Sequence, residues 1–494
     1  MIILSSQNMS STPPLLERIK TSHNIHIAGV AGTEGAAIAG FLTKLDQPFT
    51  GHDFAAQKDF CANIATAHAG LKPAKQKQII NLLWHKKQQI HFQQSYLKDV
   101  EKADLIFVSQ NWDAYKANAK LQRIFTKHPE RFVTITQLYF QLFPGKILAI
   151  TGTNGKSTTA RLVADILKQS RHKMWFTGND RRNEQILDSL DKISKKDWLV
   201  IEVSNRQLKW PLVRAPDIGV ILNVTKNHLD EYGGSFSKYK TGKYSLIQNQ
   251  SAEHTAVLNA DDAATASLMP HTSGMVLPYS IDKPLSSGVY IDKGTIVYRD
   301  KIKTNVLKVD KIQLLGRHNL SNILAAIAAT RAAGVDWKSI RSAVSQFKGM
   351  PQRLEIIAKK RGVTWVDDSV STSPDSTIAA IRSFPQGSVR LIAGGDPKGM
   401  SYASWAAACK KHDITSVTLI RSPAGTAMAK ELKKKDVPHC FVPTFEGAVQ
   451  AVAAHAKKGE IVLFSPTAAW FIYHLQKKVP GGGKGYVDFV KKYG

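Results

Sequence analysis

The sequence predicts an α/β fold of three domains in which parallel strands alternate with helices. Near-continuous Val, Ile and Leu runs recur along the chain, and most are followed by apolar residues at helical spacing. The 494 residues are too many for one hydrophobic core, and roughly 150 residues per domain gives about three domains. We expect a Rossmann-like N-terminal domain over 1–143, a central parallel sheet with a small antiparallel β excursion over 144–349, and a Rossmann-like C-terminal domain over 350–494.

The chain is strongly cationic, with 67 Lys and Arg against 39 Asp and Glu and a formal net charge of +28. This balance favours acidic partners such as nucleotides, nucleic acid or anionic lipid. Because the basic residues are spread along the chain and no RNA-binding signature occurs, we expect no nucleic-acid partner. The lysine-rich stretch 72–98 has apolar residues at helical spacing, and we interpret it as an amphipathic helix with a solvated basic face.

The cysteines and the N-terminus bear on the compartment. Cys61, Cys409 and Cys440 are far apart and odd in number, which argues against a disulfide framework or a cysteine-based zinc site and fits a reducing cytoplasm. The N-terminus lacks a basic segment with a long apolar core, and no run of about 18 apolar residues occurs. We therefore expect a cytoplasmic protein with neither a secretion signal nor a membrane span.

The first strand-to-helix unit is IHIAGVAGTEGAAIAGFL at 25–42, where Gly29, Gly32 and Gly35 follow a strand-like run. This GxxGxxG spacing is weak support for a nucleotide site, because GxGxxG is the usual fingerprint and glycine-rich turns are common. A nucleotide-like ligand and a simple packing turn both remain open. DLIFVSQ at 104–110 is predicted as a later strand of the same sheet, and a helix is predicted to end near Phe143.

The segment KILAITGTNGKSTTARLVADIL at 146–167 reads as strand, loop and helix. Gly152 and Gly155 allow the backbone to curl until its N–H groups face phosphate oxygens at the start of a helix. Lys156 supplies a charge for the β- and γ-phosphates, and the Ser157 hydroxyl can bind Mg²⁺. The central domain is therefore predicted to be a P-loop mononucleotide-binding domain, although only two residues separate its glycines.

Strand-like runs at 198–204, 217–224 and 255–262 continue the central sheet, and alternating short strands at 275–315 predict the β excursion. Glu202 ends the first of these runs, where its carboxylate could reach a Mg²⁺ beside the phosphate loop. His228 follows the second, either as a ligand or as an ordinary loop residue. Helices are predicted at 319–333 and 337–347, a linker at 348–351, and C-terminal strands at 363–369, 389–395, 416–420 and 460–466.

A series of these segments resembles the Mur ligase family. The chain contains, in this order, TGTNGKSTT, IEVSNRQL, ILNVTKNHLDEYG, VLNADD, LLGRHNLSN, PQRLE, DDSVSTSP, GGDPKG and LFSP. The resemblance covers about 25–494 and is most specific from Lys146 onward. It implies an ATP-dependent amide-bond ligase of peptidoglycan precursor synthesis, in which the N-terminal domain holds the UDP end of the substrate, the central domain holds ATP, and the C-terminal domain brings the amino acid.

The resemblance also implies roles for single residues, motif by motif. The nucleotide phosphates would be held by Gly152, Thr153, Asn154, Gly155, Lys156, Ser157 and Thr158. Ser157 and Glu202 would bind one Mg²⁺, and His228 a second, beside Lys243 of YKTGK as a carbamylated ligand or organiser. Lys156, Glu202, His228 and Lys243 would form the catalytic set. From its residue type and neighbours alone, Lys243 would pass for a surface lysine.

The remaining roles concern the nucleotide base and the substrates. Asn319 and Asn322 would lie at the adenine side, and Arg353 and Asp368 would contact the nucleotide across a domain gap. Asn179 would lie near the substrate phosphate or acyl group, while Lys398 and Ser465 would face the carboxylates of the amino acid. The segments are most similar to those of members that join glutamate, expected in its D form, to UDP-N-acetylmuramoyl-L-alanine through an acyl phosphate.

Two departures from the family pattern keep alternatives open. Val370 stands where many glutamate-adding members have a lysine, and SNRQ at 204–207 replaces the common SSFQ. Both bear on glutamate binding and on its stereochemistry. The alternatives are a sister ligase for alanine, a muramyl-tripeptide ligase, a folylpolyglutamate synthase-like enzyme, or a non-catalytic nucleotide-responsive binder of nucleic acid. We expect a monomer.

Overall fold

The computed structural model describes residues 14–84, 89–178, 184–225, 229–397, 399–469 and 482–494. The chain forms two compact units, one of Met1–Val309 with Asn322–Val344 and the other of Asp310–Ser321 with Ser345–Gly494. The first unit contains two β-sheets and the second unit contains one. Parallel strands with helices between them dominate all three sheets, so the predicted α/β fold class is confirmed.

The first sheet has five parallel strands in the order β3-β2-β1-β4-β5. Its strands are β1 (Ile25–Ala28), β2 (Thr50–Asp53), β3 (Gln89–Phe92), β4 (Leu105–Phe107) and β5 (Phe132–Val133). The helices are α1 (Leu15–Thr21), α2 (Thr33–Lys44), α3 (Phe60–Ala67), α4 (Pro73–Leu83), α5 (Ala119–Lys127) and α6 (Ile135–Leu142). The carboxyl ends of β1, β2 and β4 therefore meet at one edge, where ligands of such sheets collect.

The prediction of one helix over 72–98 was wrong in its length. The helix α4 ends at Leu83, and Ile90 lies in β3, where it pairs with Gly51 of β2. Ile79 and Leu83 are four residues apart and buried, which is the helical part of the pattern. Ile90 and Phe92 are two residues apart, the spacing of one face of a strand. The stretch thus contains two periods in succession, and only the first is helical.

The second sheet has nine strands in the order β14-β13-β12-β11-β10-β9-β6-β8-β7. They are β6 (Lys146–Thr151), β7 (Met174–Thr177), β8 (Trp198–Glu202), β9 (Ile218–Ile221), β10 (Thr255–Asn259), β11 (Met275–Ser280), β12 (Gly288–Asp292), β13 (Thr295–Arg299) and β14 (Lys303–Lys308). The helices that accompany it in the chain are α7 (Lys156–Gln169), α8 (Phe236–Tyr244), α9 (Ala263–Ala266), α10 (Arg317–Ala332) and α11 (Trp337–Gln346). The β excursion extends this same sheet, because β11 and β12 still pair in parallel and only β12–β13 and β13–β14 are antiparallel.

The third sheet has six strands in the order β15-β16-β20-β17-β18-β19. They are β15 (Glu355–Lys360), β16 (Val363–Asp367), β17 (Val389–Gly394), β18 (Ser416–Ile420), β19 (His439–Val442) and β20 (Ile461–Thr467). The helices are α12 (Pro374–Ile381), α13 (Ala403–Lys411), α14 (Pro423–Lys433), α15 (Phe445–His455) and α16 (Gly482–Tyr493). The sequence pattern predicts the four inner strands and misses the two edge strands, β15 and β19.

Burial explains which strands the sequence pattern could find. The four inner strands of the third sheet are almost wholly buried and read as apolar runs, whereas β15 and β19 are partly exposed and carry polar residues. All residues of β6 after Lys146 are buried, as a strand covered on both faces requires. Within the described ranges, no helix is long and apolar enough to cross a membrane.

Candidate active site

The phosphate loop, residues 152–155, joins the central strand β6 to the N-terminus of α7. Gly155 caps the helix with φ of +89°, in the left-handed region that favours glycine. A Cβ on Gly155 would lie 2.1 Å from Oδ1 of Asn322, so this position has no room for a side chain. The glycine cap makes no side-chain hydrogen bond to the end of α7, where helices leave N–H groups without intrahelical acceptors. The loop therefore has the backbone geometry of an anion site.

The strand end beside the loop holds it in shape. The backbone N–H of Thr153 donates to the carbonyl of Asn223 at 2.9 Å, and that of Asn154 donates to Asn223 Oδ1 at 2.9 Å. The Thr153 hydroxyl accepts from the backbone N–H of Thr225 at 3.0 Å and lies 3.1 Å from the hydroxyl of Tyr239. The loop is thus fixed by contacts from two segments, which reduces the ordering cost of binding a ligand.

Two polar side chains of the first turn of α7 face the interior of the site. Lys156 Nζ donates to the carbonyl oxygens of Gly152 at 2.9 Å and Thr153 at 3.0 Å, so its ammonium lies over the loop itself. The Ser157 hydroxyl donates to Glu202 Oε2 at 2.8 Å. Glu202 ends β8, the neighbour of β6, and is buried. A cationic group and a hydroxyl–carboxylate pair thus lie side by side at the carboxyl end of the sheet.

The Ser157 and Glu202 pair fits a magnesium ion by its chemistry. Mg²⁺ prefers oxygen ligands and commonly takes one or two from the protein, with waters and substrate phosphates completing its shell. Among the described residues no group of three His, Cys, Asp or Glu side chains could hold a metal by itself. The oxygen pair therefore suits a cation that arrives with a nucleotide better than a metal held by protein ligands alone.

Lys243 is buried, contrary to the surface position that its residue type predicts. It lies in α8, whose N-terminus is capped by the Ser235 hydroxyl, and its side chain is about 1% exposed. Its Nζ contacts the Thr151 hydroxyl at 3.3 Å and lies 5.1 Å from the ring centre of Tyr239. Burial, with a smaller contribution from the charge of Lys156, lowers the pKa of Lys243 to about 7. A substantial fraction of this amine is therefore neutral near neutral pH.

A cavity of about 770 Å³ extends from Lys156, at the start of α7, to the carboxyl edge of the first sheet. Its wall includes Lys156 and Glu202 from the second sheet and Gly29, Glu34 and Phe54 from the first. The glycine turn at residues 29–32 thus lines the same space as Lys156, the residue that follows the phosphate loop. A cleft of this volume lies within the size range of ligand-binding clefts.

Glu34, in the first turn of α2, is buried at the edge of this cavity. Its carboxylate accepts from the backbone N–H of Gln110 at 3.0 Å and from the Gln110 amide at 3.2 Å. Burial raises the pKa of Glu34 to about 7, although both hydrogen bonds act in the opposite direction. Gln110 Oε1 in turn accepts from the Ser204 hydroxyl at 2.7 Å, which links this corner to the strand end after β8.

Of the predicted site residues that the structure describes, four lie in the second unit. Asp368 Oδ2 accepts from the fully buried Ser465 hydroxyl at 2.9 Å, and burial raises the pKa of Asp368 to about 6. The Thr377 hydroxyl lies 2.8 Å from that of Ser465. Arg353 is exposed, and the buried Asn319 donates through Nδ2 to the carbonyl of Leu315 at 2.8 Å.

The structure brings together part of the predicted set and leaves part undescribed. Lys156, Ser157, Glu202, Asn322 and Lys243 lie around the phosphate loop. Asn179, His228 and Lys398 lie outside the described residues. Sequence reasoning did not single out Gln110 or Glu231. Gln110 ends the predicted strand DLIFVSQ, and Glu231 follows the predicted strand at 217–224, so both lie where side chains of a parallel sheet converge.

Comparisons with known proteins agree with this geometry. A family profile described as the Mur ligase middle domain matches residues 150–330, and one described as the Mur ligase glutamate ligase domain matches residues 352–468. The UDP-N-acetylmuramoylalanine--D-glutamate ligase of Koribacter versatilis is 37% identical over 338 residues, which are 68% of this chain and 72% of that protein. The protein of the same name from Desulfitobacterium hafniense strain Y51 is 32% identical over 356 residues, 71% of this chain and 76% of that protein.

Solved structures share the fold at low sequence identity. The UDP-N-acetylmuramate-alanine ligase MurC of Thermotoga maritima matches with a TM-score of 0.57 and 16% identity, over 95% of this chain and 99% of that one. A pseudomurein peptide ligase type C from Methanothermus fervidus matches with a TM-score of 0.56 and 18% identity over the same shares. At such identities the likeness establishes the fold alone.

Proposed function

We propose that this chain, which belongs to the Mur ligase family, is an ATP-dependent ligase that adds D-glutamate to UDP-N-acetylmuramoyl-L-alanine in peptidoglycan precursor synthesis. One observation carries the proposal beyond the fold. Lys156 and Glu202 line the same cavity of about 770 Å³ as the first glycine turn, so a phosphoryl donor and a UDP-linked acid could meet in it. The matched relatives bear the name of this reaction.

ATP would bind with its phosphates on the loop and its base along α10. Gly152, Thr153, Asn154, Gly155, Lys156, Ser157 and Thr158 would hold the phosphates. Asn319 and Asn322 would serve the adenine side, with Arg353 and Asp368 as further nucleotide contacts. The support for the phosphate contacts is the glycine-capped start of α7, and Asn322 lies beside it, with Oδ1 2.1 Å from where a Cβ of Gly155 would be.

We assign Ser157 and Glu202 to one Mg²⁺, and Lys243 and His228 to a second. When bound, such ions neutralise the charge on a transferring phosphoryl group and on the carboxylate that approaches it. Lys156 contributes to the same task from the protein itself, because its ammonium lies at the loop and can move from the carbonyls of Gly152 and Thr153 to phosphate oxygens.

The reaction follows from the weakness of a carboxylate as an acyl donor, since attack by an amine would have to expel oxide. An oxygen of the alanine carboxylate attacks the γ-phosphorus of ATP, the bond to the β-phosphate oxygen breaks, and ADP leaves with an acyl phosphate in place. The glutamate nitrogen then attacks the acyl carbon, the carbon–oxygen bond to phosphate breaks, and the nitrogen loses a proton. The products are an amide, ADP and phosphate. Because water would hydrolyse the acyl phosphate, the reaction requires that water be kept from the site.

The burial of Lys243 supports the finer proposal that this lysine is carbamylated. A neutral amine can attack carbon dioxide to form an N–C bond with release of a proton, and the product is a carbamate anion. Within the described part of the chain, no carboxylate forms an ion pair with Lys243, and its Nζ donates to the Thr151 hydroxyl. A carbamate would change this buried cation into an oxygen ligand, the type that Mg²⁺ prefers.

For the substrates, we propose that Asn179 contacts the phosphate or acyl group, and that Lys398 and Ser465 contact the glutamate carboxylates. The Ser465 hydroxyl donates to Asp368 Oδ2 at 2.9 Å in the structure. Donation to a glutamate carboxylate would therefore require this hydroxyl to turn away from Asp368. The Ser465→Ala variant separates the two roles, since loss of glutamate binding alone raises the KM for glutamate and leaves the KM for ATP unchanged.

The proposal is tested by product mass. The protein is incubated with Mg²⁺, ATP and UDP-N-acetylmuramoyl-L-alanine, with D-glutamate or L-glutamate in separate reactions. We expect an amide product with D-glutamate and phosphate release that requires both substrates. Ligation of alanine to UDP-N-acetylmuramate would instead identify a sister ligase, and no ATP turnover with any acceptor would contradict the proposal.

A further inference from the structure

Arg206 joins the loop after β4 in the first sheet to a segment of the second sheet. Its Nε and one terminal nitrogen donate to Glu231 Oε1 at 2.9 and 2.7 Å, and its other terminal nitrogen donates to Asn111 Oδ1 at 2.6 Å. Asn111 follows β4, whereas Glu231 lies in the short 3₁₀ helix Leu229–Tyr232. We name these three side chains, Arg206, Glu231 and Asn111, the Arg206 bridge.

Further contacts brace the bridge on the side of the second sheet. Lys209 Nζ lies 3.2 Å from Glu231 Oε2 and 3.8 Å from Asp113 Oδ2, and Asn205 Nδ2 donates to Glu231 at 3.3 Å. The cations Arg206 and Lys209 lower the pKa of Glu231 against the effect of its burial, so this carboxylate is charged at neutral pH. The Arg206 guanidinium is therefore held by an anion on one side and an amide on the other.

The bridge continues to the phosphate loop through aromatic rings. The Tyr232 hydroxyl donates to the carbonyl of Asn205 at 3.0 Å, and its ring centre lies 5.3 Å from that of Tyr239. The Tyr239 hydroxyl in turn lies 3.1 Å from that of Thr153 in the phosphate loop. A series of contacts thus runs from Asn111 after β4 to Thr153 in the phosphate loop, which is also held independently by Asn223 and Thr225.

Two residues of the Arg206 bridge line the cavity. Asn111 and Arg206 both line the cavity of about 770 Å³, together with Gln110 and Glu34. Gln110, next to Asn111, bonds both Glu34 at the first glycine turn and Ser204 after β8. The loop after β4 is therefore bonded to the segment after β8 at two successive residues, Gln110 to Ser204 and Asn111 to Arg206. These bonds fix the distance between the cavity wall formed by the first sheet and the wall formed by the second.

We propose that Arg206 is a positioning residue that fixes the loop after β4 against the second sheet and so sets the cavity to the length of its UDP-linked substrate. The inference rests on the proposed function for the identity of that substrate. It concerns a residue at which this chain departs from the family pattern, since SNRQ stands where SSFQ is common. A phenylalanine could fill space there but could not bond Asn111 and Glu231.

The chemistry of arginine suits this role. Its planar guanidinium presents donors in a fixed fork, so one side chain can bond two partners in different directions, whereas a lysine is a single point charge. Arg206 is about one third exposed and Glu231 much less, at 32% and 13% of their side chains. A single, partly exposed ion pair adds little to the free energy of unfolding. Its larger effect is to hold a binding site in its bound shape, which lowers the entropic cost of binding.

The test is the affinity for UDP-N-acetylmuramoyl-L-alanine, measured by calorimetry without ATP or glutamate. For Arg206→Ala and Arg206→Phe we expect the dissociation constant to rise about tenfold or more, with a smaller rise for Arg206→Lys. Affinity for Mg²⁺-ATP should stay within about twofold of the wild type, because the phosphate loop keeps its own contacts to Asn223 and Thr225. Asn111→Ala should reproduce the effect from the other end, and the double variant should add little to it.

Arg214 provides a matched control. Like Arg206, it bonds several partners at once. Its guanidinium donates to the backbone carbonyls of Phe143 and Gly145 and to the carboxylate of Asp217, and its side chain is 36% exposed. It does not line the cavity. Arg214→Ala should lower the thermal midpoint and leave the affinity for the UDP-linked substrate within about twofold.

The outcomes separate the inference from the proposed function. If the wild type binds this substrate and Arg206→Ala and Asn111→Ala bind it as tightly, the inference is overturned and the proposed function stands. Equal losses of affinity for both ligands, with the fall in midpoint seen for Arg214→Ala, would also overturn it, since that is the mark of a merely structural residue. If the wild type binds no UDP-N-acetylmuramoyl-L-alanine, the proposed function fails and the inference fails with it.

Discussion

The two glycine turns of the first unit, residues 29–34 and 152–157, have the same spacing and hold different side chains. Each runs G-x-x-G from the end of a strand into a helix whose cap residue is glycine, Gly32 for α2 and Gly155 for α7. In the second helical position stand Glu34 and Ser157. Each of these bonds a side chain that follows or ends the neighbouring strand, Gln110 after β4 and Glu202 in β8.

The Ser157–Glu202 pair has a cation beside it, Lys156, whereas the Glu34–Gln110 pair has a threonine in the corresponding position. The phosphate loop combines a hydroxyl, a carboxylate and the ammonium of Lys156, which together suit a phosphate that comes with a cation. The first turn has a threonine where the phosphate loop has lysine, and its buried carboxylate is paired with an amide. The two residues that follow the second glycine, Thr33 and Glu34 in one turn and Lys156 and Ser157 in the other, therefore give the turns different charges.

Removing the cation from the phosphate loop should have the largest effect. Lys156→Ala is expected to lower kcat/KM for ligation on the order of a thousandfold, because it removes a charge that stabilises the transferring phosphoryl group. Lys168, exposed near the other end of α7, is the control, and Lys168→Ala should leave steady-state rates unchanged. Normal turnover in a folded Lys156→Ala protein would show that the cation, which distinguishes the phosphate loop from the first glycine turn, is not needed for ligation.

The carboxylate partner of Ser157 should come next. Glu202→Gln keeps the size of the side chain and removes its charge, so we expect a loss of kcat of about a hundredfold and a higher Mg²⁺ concentration for half-maximal rate. The measurement is a magnesium titration of the initial rate at saturating ATP. An unchanged magnesium requirement would mean that Glu202 does not serve the ion.

The acid of the first turn should affect stability through pH. The unfolded chain loses the Glu34 proton near the ordinary pKa of 4.5, whereas the folded protein keeps it to about 7. The folded state therefore binds more protons across this window, and burial of the carboxylate costs stability as pH rises through it, up to about 3 kcal/mol above it. Glu34→Gln cannot ionise, so its thermal midpoint relative to the wild type should be higher at pH 8 than at pH 5. An equal difference at both pH values would contradict the assignment.

Lys243 gives the same kind of test beside the phosphate loop. Burial lowers its pKa from 10.5 to about 7, so the unfolded chain binds more protons between these values and stability rises with pH across them. In buffer freed of carbon dioxide, Lys243→Met should raise the thermal midpoint by a few degrees at pH 7, and the gain should shrink toward pH 10. A gain that is independent of pH would show that charge burial is not its cause.

The sequence is informative where local chemistry determines the structure. Gly155, Lys156 and Ser157 are adjacent in the chain, so their spacing alone predicts a phosphate loop, and the structure has a left-handed Gly155 cap and a Ser157–Glu202 hydrogen bond there. The buried inner strands are also predictable, because burial on both faces leaves an apolar run. The edge strands β15 and β19 and the end of α4 depend on pairing with distant strands, which no local pattern records.

The features missed from the sequence depend on contacts between distant residues. Lys243 resembles a surface lysine until α8 places it against Thr151 and Tyr239. The Arg206 bridge unites residues that are 25 and 95 positions apart. Only the SNRQ departure from the family pattern marked Arg206 in advance, and it gave no indication of the partners Asn111 and Glu231.

The most direct test of the account is the fate of the substrate's carboxylate oxygen. UDP-N-acetylmuramoyl-L-alanine labelled with ¹⁸O in both carboxylate oxygens is ligated with ATP and D-glutamate, and the released phosphate is examined by mass spectrometry. If the phosphate loop activates the carboxylate as an acyl phosphate, each phosphate carries one ¹⁸O and the amide retains the other. Amide formation with unlabelled phosphate would contradict the central claim.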